Sequence, residues 1–373
     1  MRPRLPLALA LFALPLLVAA GCSGGAPAPI GAAPETFTPD ALAAHSHDDD
    51  DAFDDSALNF LIVGDWGRNG FFNQRDVAIA MGRTGEEIKS EFTISTGDNF
   101  YVSGVTSTDD PKWYRSFEAI YTAPILQKGW YVTLGNHDWQ GDIDAQIDYT
   151  GVSRRWYLPA RYYAETLLVS DTTEVLFVFL DTTPLSEPDE NRRKYNKTER
   201  WDREAQLAWL DETLATSDAE WKIVVGHHPI YVGSTRYEDN PRLIELLVPI
   251  FEEHGVQVYF AGHDHNLQHL RPEGSPVDYF VSGAGSLTRG VVETPNTLFG
   301  VRTSGYMAAS FVANELHVNS YDEDGALLYA TTVPKSRPDT HTPREIEAET
   351  DLSDPEVRRD LEAAEDDDGD GSF

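Results

Sequence analysis

The sequence predicts an α/β fold whose last part is all β. Three observations support this prediction. Short apolar runs alternate with segments of helical periodicity from Leu58 to Phe260, which is typical of a sheet flanked by helices. From Tyr279 onward, apolar runs follow one another with no helical segment between them. Hydrophobic residues make up 41% of the 373 residues, which is enough to build a substantial core.

The individual elements follow from the spacing of apolar residues. Strands are predicted at Leu58 to Val63, Phe92 to Ser95, Trp130 to Leu134, Tyr163 to Val169, Val175 to Leu180, Ile223 to Val225, Val256 to Phe260, Tyr279 to Val281, Met307 to Val312, His317 to Tyr321 and Leu327 to Thr332. Helices are predicted at Asp76 to Lys89, Ala205 to Leu214 and Arg242 to Glu252. In the second helix, leucines recur at positions 207, 210 and 214, which places them on one face.

The amino-terminal segment predicts export. Two arginines precede an apolar run from Leu5 to Ala20 that is short and interrupted by proline, so residues 1–21 are predicted to be a secretion signal. Cys22 is the single cysteine and directly follows the small residues of the predicted cleavage site. We therefore expect a lipid anchor at Cys22 and an exported cell-envelope lipoprotein, either periplasmic or on the outer surface. An ordinary cleaved signal followed by an unmodified cysteine is the alternative.

Two acidic segments flank one predicted domain. Residues 22–57 and 336–373 are polar and lack apolar periodicity, so we expect disorder there and a single catalytic domain at 58–335. A calcium-binding loop in the tail is the alternative, although the acidic run lacks the ligand spacing of an EF-hand. The formal net charge is −33, which disfavours nucleic acid as a partner. A phosphate site on such a protein needs local positive charge, which metal ions can supply.

Five predicted strands are each followed by a glycine and then by side chains that can bind metal ions. These five loops contain Gly64-Asp65, Gly97-Asp98, Gly135-Asn136-His137-Asp138, Gly226-His227-His228 and Gly262-His263-Asp264-His265. Open α/β sheets bind ligands at the carboxyl ends of their strands. A single aspartate there is more often a helix cap, and a single histidine is more often structural. Five such loops together predict a metal site.

The types of side chain narrow the choice of metal and of reaction. Carboxylates and imidazoles without a thiolate suit zinc, iron and manganese. Two such ions need a bridging anion, and a carboxylate can be that bridge. Metal pairs of this kind stabilise the oxygens of a phosphoryl group and acidify a bound water. The pattern therefore favours hydrolysis of a phosphate ester.

These motifs resemble the purple acid phosphatase branch of the calcineurin-like metallophosphoesterases, and in particular the small tartrate-resistant acid phosphatases. The resemblance runs from about Leu58 to Pro334. Similar stretches are GDNFYVSGV at 97–105, RWYLP at 155–159, GHDHNLQ at 262–268 and SGAG at 282–285. Tyr101 discriminates best, because most relatives outside this branch lack a tyrosine ligand there. The resemblance implies a four-layer sandwich of two mixed β-sheets flanked by helices.

The resemblance also implies two metal ions and their ligands. Fe(III) is expected at Asp65, Asp98, Tyr101 and His265, where the tyrosinate bond gives the purple colour. A second ion, which is Fe(II), Zn or Mn, is expected at Asp98, Asn136, His227 and His263. Asp98 bridges the two ions in this scheme.

Three further residues have expected catalytic roles. The resemblance implies that His137 faces the substrate and stabilises the phosphate or protonates the leaving oxygen. His228 stands where the animal enzymes usually have tyrosine, so a substrate-side role and a packing role are both open. Asp138 is expected to orient His137 or a neighbouring loop.

The expected function is that of an acid phosphatase acting on small phosphate monoesters by direct attack of a metal-bound hydroxide. A phosphodiesterase or nucleotide hydrolase on the same metal core is the first alternative. A non-catalytic lipoprotein that uses the fold for surface binding is the second. The segments 184–200 and 231–240 differ from the family and are expected to affect the substrate range. The oligomeric state stays open.

Overall fold

A computed structural model describes residues 58–170, 172–312 and 315–336. The expected signal at 1–21, the anchor at Cys22, the linker and nearly all of the acidic tail lie outside the described residues. Within these ranges, no helix is both long and apolar enough to cross a lipid bilayer.

Two mixed seven-stranded sheets form the centre of the fold. In chain order, the strands are β1 (Asn59–Val63), β2 (Phe92–Ser95), β3 (Trp130–Val132), β4 (Trp156–Tyr157), β5 (Tyr163–Ser170), β6 (Thr173–Phe179), β7 (Trp221–Val225), β8 (Val258–Ala261), β9 (Leu267–Leu270), β10 (Asp278–Ser282), β11 (Thr297–Val301), β12 (Gly305–Val312), β13 (Glu315–Asp322) and β14 (Leu327–Pro334). One sheet has the order β14-β13-β12-β1-β2-β3-β4, and the other has the order β11-β9-β10-β8-β7-β6-β5.

Helices cover the outer faces of the sheets. They are α1 (Gln74–Glu87), α2 (Ile143–Asp148), α3 (Thr182–Ser186), α4 (Arg203–Thr216) and α5 (Pro241–Glu253), together with a π-helix at Trp113–Glu118 and short 3₁₀ turns. Helix α5 begins sharply because the Asn240 side chain accepts the N–H of Leu243 and Pro241 occupies the first turn. The expected class, two mixed sheets flanked by helices in a single domain, is confirmed.

The core between the sheets consists largely of aromatic side chains. Phe60 of β1 meets Phe177 of β6 edge to face, with ring centroids 5.4 Å apart. It meets Phe260 of β8 at 6.4 Å. Alternate residues of β6, such as Val175, Phe177 and Phe179, belong to this core, whereas those between them pack with the cluster under α4 and α5. Both faces of β6 are therefore apolar, as in a strand covered on both sides.

Strand direction brings the five glycine-led loops to one place. Strands β1, β2 and β3 are parallel neighbours in one sheet, and β6, β7 and β8 are parallel neighbours in the other. The loops after β7 and β8 touch, because Gly262 N–H donates to the His227 carbonyl at 2.9 Å. The loop after β8 also reaches the other sheet, where His263 N–H donates to Oδ2 of Asp65 at 2.8 Å.

Candidate metal centre

Three of the expected ligands have a left-handed backbone. The φ angles are 59° at Asp65, 50° at Asp98 and 69° at His263, a region that few non-glycine residues adopt. Such strain collects at functional sites, where the surrounding structure enforces it. Close approach adds a second constraint, because a Cβ atom on Gly135 would lie 2.1 Å from Oδ1 of Asp98. The glycine before Asn136 therefore lets two loops meet.

One group of side chains converges around the phenol oxygen of Tyr101. This oxygen lies 2.9 Å from Oδ1 of Asp65 and 2.9 Å from Oδ2 of Asp98. It also lies 3.1 Å from Nε2 of His265, which is itself 3.4 Å from Oδ1 of Asp65. All four side chains are buried. The structure therefore brings together every ligand expected for the first metal ion.

Burial is the largest influence on the pKa values of this group. Burial raises the pKa of Asp65 to about 7, although His227 opposes the shift. Burial also acts to raise the pKa of Asp98, but His227 and His137 hold it below its ordinary value. The pKa of Tyr101 lies well above its ordinary value because of burial and the two aspartates. A cation among these oxygens would offset the repulsion between them.

A second group converges around the side-chain oxygen of Asn136. Oδ1 of Asn136 lies 3.1 Å from Nε2 of His227 and 2.9 Å from Nδ1 of His263, and these two nitrogens are 3.2 Å apart. Oδ1 of Asp98 lies 3.5 Å from Nε2 of His227. Asp98 thus presents Oδ2 to the Tyr101 group and Oδ1 to the Asn136 group.

The tautomer of His227 shows that the second group fits a metal ion. Nδ1 of His227 lies 2.9 Å from the Thr96 carbonyl, which can only accept, so Nδ1 carries a proton. In the neutral ring, Nε2 then has a lone pair, and it faces the Asn136 oxygen at 3.1 Å. Two lone pairs at this distance repel each other, and a cation between them turns that repulsion into ligation.

His137 lies beside the two groups and is partly exposed. Its backbone N–H donates to Oδ1 of Asp98 at 2.9 Å, and its side chain is 23% exposed. Nδ1 donates to the Val102 carbonyl, which leaves Nε2 as the nitrogen that can exchange a proton. Nε2 lies 4.0 Å from Oδ2 of Asp98. The ring is therefore fixed, with its active nitrogen next to the ligands.

Asp138 holds the loops of the site together. Its buried carboxylate accepts N–H groups from Asn99 at 3.0 and 3.1 Å and from Gly135 at 2.9 Å. It also accepts the Gln146 amide at 2.8 Å. Burial raises the pKa of Asp138 to about 7. These contacts connect the loops that carry Asp98 and Asn136.

His228 has a tautomer set by Thr182, a residue that the sequence did not single out. The Thr182 hydroxyl accepts the backbone N–H of His227 at 3.1 Å and of His228 at 2.9 Å. Both lone pairs are then used, so the hydroxyl donates its proton to Nδ1 of His228 at 3.0 Å. The ring proton of His228 is therefore on Nε2. A nitrogen of His228 lies within 4.8 Å of nitrogens of His227 and His263, so the ring borders the Asn136 group.

Arg68 was also missed by the sequence reasoning. Its guanidinium carbon lies 3.7 Å from the centroid of the Tyr101 ring. The sequence did contain one indication of a role for Arg68, which is that it directly follows the Gly64-Asp65-Trp66-Gly67 motif. Its role could not be seen in the sequence, because an arginine contributes to no apolar periodicity and has no metal-binding atom.

Comparisons with known proteins agree with this geometry. A family model described as calcineurin-like phosphoesterase matches residues 58–267. The chain is 40% identical over 302 residues to purple acid phosphatase 17 of Arabidopsis thaliana, covering 75% of this chain and 86% of that protein. It is 32% identical over 304 residues to tartrate-resistant acid phosphatase type 5 of Homo sapiens, covering 75% of this chain and 91% of that protein.

Solved structures share the fold. GAP50, the anchor in the inner membrane complex of Plasmodium, superposes with a TM-score of 0.65 at 22% identity, covering 83% of this chain and 95% of that chain. The purple acid phosphatase PPD1 from yellow lupin seeds superposes with a TM-score of 0.56 at 15% identity, covering 78% of this chain and 57% of that chain. At these identities the similarity concerns the fold alone.

Proposed function

We propose a function from one premise, which is that this chain belongs to the calcineurin-like phosphoesterase family and, within it, to the purple acid phosphatases. The chain is a phosphoric monoester hydrolase of the acid phosphatase type, with a binuclear metal centre. One observation on the site supports the binuclear centre. The two carboxylate oxygens of Asp98 face two different groups of metal-binding side chains, as a bridging ligand requires.

The donor atoms fit two different ions. We assign Fe(III) to the group of Asp65, Asp98, Tyr101 and His265, since phenolate and carboxylate oxygens favour a hard trivalent ion. We assign Fe(II), Zn or Mn to the group of Asp98, Asn136, His227 and His263. When bound, the ions supply positive charge for the phosphoryl oxygens and lower the pKa of water.

The protein's own residues then have distinct roles. Hydrolysis replaces the ester P–O bond with a P–O bond from water, and the departing oxygen takes up a proton. His137 is the proposed proton donor or phosphate contact, because Val102 fixes its Nδ1 and leaves Nε2 facing the site. Asp138 keeps the loops of Asp98 and Asn136 at a fixed spacing, so it is a positioning residue.

The cellular location is proposed from the sequence alone. The charged start, the apolar run and the cleavage-site cysteine support an exported lipoprotein anchored to a membrane at Cys22. Radioactive palmitate labelling of cells that express the full chain tests this location. Label in the wild type and none in Cys22→Ser supports the anchor, and equal label in both rejects it.

A comparison of two histidine variants tests the catalytic proposal. His263→Ala removes a proposed ligand, so phosphate release from benzyl phosphate should fall at least about 100-fold. His317→Ala changes a histidine on β13, which is 39% exposed, and should leave the rate unchanged. Unchanged phosphate release by His263→Ala would reject the proposed centre.

A further inference from the structure

Arg68 is a cation beside the proposed metal centre with no carboxylate partner. Its guanidinium lies against the rings of Tyr101, at 3.7 Å, and of Phe72, at 5.7 Å. Among the described residues, no hydrogen bond or ion pair reaches this guanidinium, and its buried Nε has no acceptor. Guanidinium groups donate in their plane, so contact with the rings leaves the N–H groups available to a ligand.

Two other arginines of the chain have carboxylate partners. Arg155 pairs with Glu118 at 2.9 Å, and Arg161 pairs with Asp181 at 3.1 Å. Both of these guanidinium groups are therefore neutralised by the protein itself. In a chain with a formal net charge of −33, an arginine left without a carboxylate is available for an anion from outside.

The loop that carries Arg68 is held in a strained conformation. Three of its non-glycine residues have positive φ angles of 54° to 63°, and these are Asn69, Phe72 and Asn73. The buried Gln74 side chain holds this loop, since its Oε1 accepts the N–H of Arg68 at 3.1 Å and of Gly70 at 2.7 Å. Strain of this kind persists only where surrounding contacts enforce it, so the position of Arg68 is fixed before any ligand binds.

We propose that Arg68 binds the outer oxygens of the substrate phosphate and thereby selects monoesters over diesters. This inference rests on the proposed function, because it needs a phosphate group at the neighbouring metal centre. A monoester carries close to two negative charges at pH 7, while a diester carries one and has an organic group on one of its oxygens. The in-plane donors of Arg68 therefore gain more from the monoester.

Matched substrates and matched variants test this inference. Benzyl phosphate and benzyl methyl phosphate have the same leaving alcohol and differ in charge. Arg68→Met removes the charge and keeps an unbranched apolar stem. Arg68→Lys keeps the charge without the planar donors, and Arg83→Met removes an exposed arginine on α1 as the control. Metal content and thermal unfolding of every variant show whether the centre and the fold are intact.

We expect Arg68→Met to impair hydrolysis of the monoester much more than hydrolysis of the diester. In Arg68→Met, kcat/KM for benzyl phosphate and the calorimetric affinity for inorganic phosphate at pH 7 should fall about 10- to 100-fold. For benzyl methyl phosphate, kcat/KM should fall less than about threefold, because one charge and one free oxygen are missing. Arg68→Lys should recover part of the loss, and Arg83→Met should match the wild type.

Two outcomes would overturn the inference. An equal loss for both esters would mean that Arg68 only supports Tyr101, and no loss for either would mean that Arg68 does not contact phosphate. Failure of the proposed function is distinguishable, since the wild type would then cleave neither ester. In that case the phosphate affinities of the wild type and Arg68→Met still decide whether Arg68 binds the anion.

Discussion

The phenol oxygen of Tyr101 lies 2.9 Å from Oδ2 of Asp98, within the loop that follows β2. The same phenol oxygen also lies within hydrogen-bond distance of Asp65 and His265, and it has a single proton to donate. A metal ion in this position would replace that proton and bind all four side chains. Tyr101 and Asp98 are therefore both placed to bind the ion from which the purple colour is expected.

The first prediction concerns Tyr101. Tyr101→Phe removes the phenol oxygen and keeps the ring that packs against Arg68 and His137. We expect the iron-loaded wild type to show a broad visible charge-transfer band and the variant to lack it. The control is Tyr114→Phe, since Tyr114 is 69% exposed and is not one of the expected ligands. A band that persists in Tyr101→Phe would mean that another residue binds the iron.

The second prediction is that His137 is needed for catalysis but not for metal binding. His137→Gln removes the imidazole that is the proposed proton donor or phosphate contact, so kcat should fall about 10²- to 10⁴-fold. Metal content should stay at the wild-type level, because no metal–His137 bond is proposed. Elemental analysis and steady-state kinetics on the same preparation measure both quantities. Loss of metal together with activity would show that His137 is a ligand or that it holds one.

The third prediction concerns Thr182, which accepts two backbone N–H groups and orients His228. Thr182→Val leaves those buried donors without an acceptor, and the free energy of unfolding should fall by about 1–3 kcal/mol. Thr182→Ser keeps the hydroxyl and should lose much less. Urea unfolding of the three proteins at equal metal loading measures the difference. Equal stability of the valine and serine variants would contradict the assigned hydrogen bonds.

The fourth prediction is a pH dependence of stability that arises from Asp181. Burial raises the pKa of Asp181 to about 6 in the folded chain, although Arg161 favours the ionised form. The folded state therefore holds this proton more tightly than the unfolded chain does. The resulting stability is complete below about pH 4 and is lost as the pH rises through about 6.

Asparagine at position 181 does not titrate, so the variant should gain stability relative to the wild type as the pH rises. Between about pH 4 and pH 7, the difference in unfolding free energy should shift by about 2 to 2.5 kcal/mol in favour of Asp181→Asn. Urea unfolding at several pH values measures this shift, with Asp324→Asn on an exposed turn as the control. A difference that stays flat, or moves the other way, would reject the assignment.

Much of the fold was predictable because it depends on local patterns. The continuous apolar run of β6 and the leucine spacing in α4 both reflect burial, which the sequence shows directly. The ligand loops were also predictable, because in each of them a glycine and metal-binding side chains come directly after a predicted strand. Two elements without an apolar run were missed, because β4 has only 2 residues and β9 has the polar Gln268 and His269 between its leucines.

The rest of the site depends on contacts between distant parts of the chain. Asp138 was expected to orient His137 or a loop, and its contacts with Asn99 and Gln146 join segments that no local pattern links. Thr182 lies 45 residues before His227, so no local pattern links the two. Arg68 has a role only because a strained loop places it over Tyr101.

The most direct test of the central claim is the metal content of Asp98→Asn. This change keeps the size of the side chain and removes the charge that is shared by the two proposed sites. Elemental analysis of the purified wild type should give two metal ions per chain, and the variant should bind one or none and release phosphate at least about 100-fold more slowly. Two tightly bound ions and full activity in Asp98→Asn would contradict the account.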